Sequence, residues 1–158
     1  MKIPRPTQPY IRTILGFVYL SLIMDMYSRK IVGYHLAQTL EAQETLKALD
    51  KALLDLPDGA YPIHHSDRGS QYCSHDYVKR LKKHGLSISM TEENHCAENS
   101  MAERLNGILK QEYYLKHEFR TPVQASKGVD EAVYLYNTRR PHRSLQLRTP
   151  DQVHCAAA

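Results

Sequence analysis

The stretch Phe17 to Asp25 is a nearly unbroken apolar run of strand-forming residues, and it constrains the fold more than any other segment. A strand that is apolar at alternate and intervening positions alike reads as central in a sheet. Its neighbours supply partners. Tyr10 to Ile14 reads as a strand joined to it by a tight connection at Leu15-Gly16, and Lys30 to Leu36 as a third strand after a turn at Ser28-Arg29. Three strands with such short links most simply form an antiparallel meander.

Downstream the period changes. From Glu41, with Thr39 as a candidate cap, Ala42, Leu46, Leu49, Leu53 and Leu54 recur at three- and four-residue spacing, the stripe of an amphipathic helix that Pro57-Asp58-Gly59 ends. Tyr61 to His65 is a short strand, Ser74 to His84 a helix stopped at Gly85, and Leu86 to Met90 another strand. Strand, helix, strand, helix, strand in this order adds parallel crossovers to the meander. The fold class is therefore α/β: a mixed five-stranded sheet, antiparallel meander plus parallel strands, flanked by helices. After a polar loop, Thr91 to Glu98, helical patterns run from about Ser100 to Lys116 and from Pro122 to Thr138. A last short turn of helix starts at Pro150.

A chain of 158 residues is the size of one domain. It divides into an irregular lead-in over 1–9 with three prolines, a core over 10–138, and a basic C-terminal extension of the same domain over 139–158. The apolar run at Phe17 to Met24 is far short of the roughly 20 residues that span a bilayer, and the N-terminus lacks a signal-peptide core, so a cytoplasmic location is expected. Cys73, Cys96 and Cys155 are odd in number and widely spaced, which argues against a disulfide framework or structural zinc. His64-His65 and His95-Cys96 are poor half-sites, because adjacent residues point to different sides of a strand. A net charge of +4 suits a polyanionic partner, and its distribution says more. Arg139, Arg140, Arg143 and Arg148, with His142, occupy a stretch without an acid, either a phosphate-contacting surface or a solvated terminal segment.

Two acids carry the chemistry. Asp67 lies in His65-Ser66-Asp67-Arg68-Gly69-Ser70-Gln71-Tyr72, and Glu103 follows with thirty-five residues between them, in Asn99-Ser100-Met101-Ala102-Glu103-Arg104-Leu105-Asn106-Gly107-Ile108-Leu109-Lys110. Phosphoryl transfer on a nucleic acid by two Mg²⁺ ions needs hard anionic oxygen ligands brought together from different elements, and a turn-borne Asp with a helix-borne Glu can provide them. On the helix, Glu103, Asn106 and Lys110 share one face. Taken separately, the same residues also read as turn chemistry at Asp67 and ordinary charge scatter at Glu103.

These stretches, together with Tyr19 through Tyr34 and Tyr136-Asn137-Thr138-Arg139-Arg140-Pro141-His142-Arg143-Ser144-Leu145, resemble the catalytic core of insertion-sequence transposases of the DDE class, which are related to retroviral integrases. The resemblance covers nearly the whole chain from Tyr10 onward, so 10–138 is expected to be an integrase catalytic core. It implies an RNase H-like fold, DNA as substrate and partner, a homo-oligomer on DNA, and two Mg²⁺ or Mn²⁺ ions, with no membrane and no small-molecule substrate. Asp67 and Glu103 match the second and third acids of such a site as catalytic residues and metal ligands. Lys110 and Asn106 match positions that face DNA, and Arg139, Arg140 and Arg143 are the further DNA-binding candidates. The implied chemistry is in-line attack, first by water to nick a phosphodiester and then by the freed 3′-hydroxyl on target DNA.

The match fails at one position. The first acid of the pattern belongs on the first strand, where counting back from Tyr10-Ile11 finds Thr7, followed by Gln8-Pro9, with no helix-turn-helix upstream. The chain therefore reads as beginning inside its own catalytic domain, with impaired activity. Asp25, near the end of the neighbouring strand, is a possible neighbour of the site. Two other classes compete: a non-enzymatic DNA-binding or dimer-forming remnant, and a general RNase H-like nuclease, against which the Tyr136 to Leu145 segment argues.

Overall fold

The computed structural model describes residues 10–57, 59–60, 62–66, 73–90 and 96–157. Strands β1 (Tyr10–Thr13), β2 (Gly16–Met24) and β3 (Ile31–Ala37) form the expected antiparallel meander, in the order β1-β2-β3. The first hairpin turns at Ile14-Leu15, with Thr13 opposite Gly16, one residue earlier than the sequence suggests. Gly16 adopts a φ of +122°, a conformation that glycine accepts without strain, and the Thr13 hydroxyl donates to its carbonyl at 2.8 Å.

The β2 strand is central, as its sequence requires. Val18, Leu20 and Met24 join one core with Ile11, Leu105, Leu109, Leu115, Val129 and Tyr136, while Ile23 joins a second with Leu46, Leu49, Leu53, Tyr77 and Leu81. Helix α1 (Ala42–Leu54) covers the second core. It lies so close to β3 that a Cβ on Gly33 would meet the Ala48 carbonyl oxygen at 2.2 Å and the Ala52 Cβ at 2.9 Å. The small residues on both sides, Gly33 against Ala48 and Ala52, are what allow that approach. Leu54, expected in the stripe, is exposed at the helix end, and Thr45, Ala48 and Ala52 complete the buried face. The N-cap is Glu41, whose side chain makes no capping bond, so the cap expected of Thr39 is not formed.

Strands β4 (Ile63–Ser66) and β5 (Ser87–Met90) pair in parallel, with α2 (His75–Lys83) as their crossover. Among the described residues no ladder joins this pair to the meander, so the expected single five-stranded sheet is present as three strands and two. The outer edge of β1 is taken at its C-terminal end by Phe119, which bridges to Thr13, donates from its amide to the Arg12 carbonyl at 2.9 Å and accepts from Ile14.

Helix α3 (Cys96–Gln111) starts and ends about four residues earlier than its polar flanks suggest, and α4 (Pro122–Arg139) follows. The early end of α3 has a cause in packing: Tyr114 takes a φ of +59°, which turns the chain so that Leu115 is buried in the core. Pro122 opens α4, with the Thr121 hydroxyl accepting from the Gln124 amide at 3.2 Å. Near its other end the Asn137 side chain donates to the Ile31 carbonyl and accepts from the Ile31 amide, both at 2.9 Å. One buried amide thus occupies the free edge of β3 at its first residue and fixes α4 there. A 3-10 turn (Arg143–Leu145) and α5 (Pro150–Ala157), longer than the single turn foreseen, complete the chain. No helix among the described residues is long and apolar enough to cross a membrane.

Candidate nucleic-acid active site

Helix α3 has two kinds of surface. Leu105, Ile108 and Leu109 are buried in one core with residues of β2 and α4, and Ala102 is buried too, which leaves Glu103 exposed and Asn106 and Lys110 half-buried along an adjoining face. The Lys110 ammonium sits 4.5 Å from the centre of the Tyr10 ring, which itself packs edge-on against Phe17 at 5.2 Å. This contact brings the Lys110 end of the row to the start of β1, with Glu103 about two turns back along the helix. A carboxylate, an amide and a cation along one helical row next to a strand end can hold a hard cation and an anionic ester side by side.

Asp67 follows the last residue of β4 and lies outside the described residues, as does Thr7. Among the described residues no group of three or more His, Cys, Asp or Glu side chains could hold a metal ion. The two histidines before Asp67 are structural in their surroundings. His64 is fully buried, its Nε2 lies 3.3 Å from the Tyr77 hydroxyl, and burial pushes its pKa down to about 3, so the ring is neutral. His65 is also buried.

Asp25 has a full set of partners. Its carboxylate accepts from the Ser28 hydroxyl at 2.6 Å and from the Tyr27 and Ser28 amides at 3.2 and 3.3 Å, and it lies 3.2 Å from Nδ1 of His154 on α5. Burial would raise its pKa, but the hydrogen bonds from Ser28, Tyr27 and His154 outweigh that and hold it below the ordinary carboxylate range. Lys30, next to the same turn, pairs with Asp151 of α5 at 2.9 Å. The turn and α5 are clasped at two points. His154 carried no sequence signal for this role, because its partner stands 129 residues away.

The arginines of the C-terminal segment differ from one another. Arg140 makes a two-pronged pair with Glu112, at 2.7 and 2.8 Å, which lowers the Glu112 pKa. Arg139, Arg143 and Arg148 are exposed, although the Arg148 side chain also donates to the Leu145 carbonyl at 3.3 Å. Around them the segment is well held: His142 and Arg148 form a bridge, Leu145 is buried, and the Tyr136 and His142 rings meet edge-on at 5.2 Å.

Comparison with known proteins agrees with this architecture. Residues 7–96 match an integrase core domain family, and residues 84–150 match a second one of the same description. The chain is 36% identical over 132 residues to the transposase for insertion sequence element IS629 of Shigella sonnei, covering 83% of this chain and 44% of that protein. It is 30% identical over 155 residues to the putative transposase InsK for insertion sequence element IS150 of Escherichia coli, covering 94% of this chain and 55% of that protein. The chain thus spans about half the length of these relatives. In fold it is similar to the HTLV-2 integrase catalytic core domain in complex with magnesium, with a TM-score of 0.72 at 16% identity over 95% of this chain and 93% of that one. The BIV integrase catalytic core domain gives 0.69 at 13% identity, over 95% and 92%. With more than half its length matched by one family, the chain belongs to the integrase core domain family.

Proposed function

We propose that this chain is the catalytic core of an insertion-sequence transposase, acting on DNA phosphodiester bonds by nicking and strand transfer. The observation that carries the reading is the similarity to insertion-sequence transposases along 83 to 94% of the chain. The face of α3 at the start of β1 supports it locally. In this reading Glu103 and Asp67, hard oxygen donors from a helix and from the end of a strand, hold Mg²⁺ or Mn²⁺, for which carboxylates are the fitting ligands. Bound there, two such ions would stabilise the attacking and leaving oxygens of an in-line displacement. Lys110 and Asn106 position the DNA end beside the acids, and Arg139, Arg140 and Arg143 add phosphate contacts, Arg140 through whatever freedom Glu112 leaves it. The β4-β5 pair extends the meander through the part of the β1 edge that Phe119 leaves open, since Asn137 of α4 already occupies the start of the β3 edge. The active form is a homo-oligomer on DNA, in the cytoplasm.

Thr7 stands at the position of the first acid, and a hydroxyl there supplies no negative charge. Activity is therefore impaired, and a DNA-binding remnant without turnover is the second reading that this one residue favours. The test is nicking and strand transfer on duplexes carrying the terminal sequences of the element that encodes the chain, in Mn²⁺. Weak turnover, abolished by Asp67→Ala or Glu103→Ala and raised by Thr7→Asp, is the expected result. Robust turnover that Thr7→Asp does not increase would refute the impairment, and turnover indifferent to both alanine variants would refute the site.

A further inference from the structure

The turn between β2 and β3, helix α3 and the segment after α4 enclose an open cleft of about 880 Å³, and none of Glu103, Asn106 or Lys110 lines it. On α3 the row that faces the cleft is Ser100, Arg104 and Ile108. At 3.6 residues per turn this row lies more than a quarter-turn from the acid-bearing one. Four arginines from three separate elements converge here: Arg29 from the turn, Arg104 from α3, and Arg140 and Arg143 from the C-terminal segment.

Glu112 answers the charge of Arg140. Among the described residues no carboxylate pairs with Arg29, Arg104 or Arg143. Arg29 is held in place by its backbone, at a φ of +64°, and by contact of its Nη1 with the Met101 sulfur at 2.9 Å. The summed field is felt nearby: His142 is pushed down to about 4, by burial first and then by repulsion from Arg140, Arg29 and Arg104. Assembling around one concavity three guanidinium groups that pair with no carboxylate among the described residues costs repulsion, and a bound anion offsets it. Forked donors over a partly apolar floor of Leu105 and Tyr136 suit a phosphate ester better than a lone carboxylate, and among the described residues none of the lining is acidic.

Resting on the DNA reading above, we propose that this cleft is a second DNA contact, separate from the acid-bearing face of α3, in which Arg29, Arg104 and Arg143 grip backbone phosphates of a duplex. Sequence pattern pointed to Arg143 but not to Arg29, which has only Lys30 beside it, or to Arg104, which lies between Glu103 and Leu105. The site exists only once the turn and the helix are packed together.

The experiment is binding of a mixed-sequence duplex by the full chain, without divalent ions, across a monovalent salt series. Arg104→Gln with Arg143→Gln weakens binding about tenfold and lowers the log–log salt slope by about 2, as expected for two lost phosphate contacts. Lys82→Gln with Lys83→Gln, an equal charge change on α2, has a clearly smaller effect. Arg104→Lys with Arg143→Lys keeps the slope, and if the glutamine pair fails to fold, Arg143→Gln alone, at an exposed residue, decides the matter by lowering the slope by about 1. Equal effects from the two glutamine pairs would reduce the cleft to net charge and overturn the proposal. A wild-type slope retained by the arginine-to-glutamine pair overturns the cleft and leaves the DNA reading standing, whereas a wild-type chain that binds no duplex at low salt overturns both. Titration with inorganic phosphate separates the remaining source: phosphate binding lost in the arginine pair, with duplex affinity unchanged, makes this a small-anion site and also overturns the proposal.

Discussion

The segment from Tyr136 to Leu145 and the Glu103 face of α3 look alike in sequence, since each is a compact motif dense in polar residues, but the fold uses them in opposite ways. In the first, several side chains that suggest recognition turn inward while Arg139 and Arg143 stay exposed: Asn137 bonds both backbone groups of Ile31, Tyr136 is buried, and Arg140 is engaged by Glu112. In the second, the polar row lies beside the packed stripe, and Glu103 is left exposed. A recognisable motif therefore marks what the fold or the chemistry needs without saying which. Burial and partners separate the two.

Asn137→Ala gives the sharpest test of that division. Removing the amide leaves the Ile31 N–H and C=O without their partner inside the protein, and each unsatisfied buried group costs about 1–3 kcal/mol, so a loss of roughly 3 kcal/mol is expected in urea unfolding. A loss below about 1 kcal/mol would mean that the β3 edge does not depend on α4, and the inward reading of this motif would fail.

The Asp25 clasp should come next in size and should carry a pH signature. Its folded-state carboxyl is held below the ordinary value of 3.8, so the clasp contributes fully above that value and is lost as the pH falls through the lower folded one. Asp25→Asn is expected to cost about 1.5–2 kcal/mol at neutral pH, the lower part of the range for hydrogen bonds to a charged group. The difference from wild type should shrink in acid below about pH 4. Thermal melts across pH 2.5 to 7 would show this, on the order of the carboxylate range. A difference that stays constant in acid would assign the cost to something other than the charged clasp.

Arg140→Gln tests the least settled member of the inward motif. The pair with Glu112 is two-pronged but half exposed on the Glu112 side, so its loss should cost only about 0.5–1 kcal/mol and less in high salt. If duplex binding also weakens by no more than the Lys82→Gln control, Arg140 belongs to the scaffold. A large binding loss without a stability loss would move it to the DNA-facing group.

Most of the fold was legible because its signals are local. The β2 run, the Pro122 start of α4 and the Gly85 stop after α2 each depend on residues within a few positions. What escaped depends on distant neighbours. Leu54 fits the helical stripe by spacing but lies beyond the edge of the partner surface, and α3 ends early because Leu115 has a place in the core. The clasp of Asp25 by His154, and the meeting of Arg29 with Arg104, are products of packing alone. For the site, spacing identified Glu103, Asn106 and Lys110 as one helical row, whereas the Lys110 contact with Tyr10 required the placement of β1 against α3.

Glu103→Gln should have the smallest effect on stability and for that reason says most about the outward face. The change keeps the shape and removes the charge of an exposed residue, so unfolding should shift by no more than about 0.5 kcal/mol. Mn²⁺ binding, read by metal titration of the chain with the duplex present, should nevertheless weaken markedly, because an amide is a poor substitute for a hard anionic ligand. Nicking should fall with it. If the variant is destabilised by more than about 1 kcal/mol while Mn²⁺ affinity is unchanged, Glu103 is scaffold like Asn137, and the distinction between the two motifs collapses.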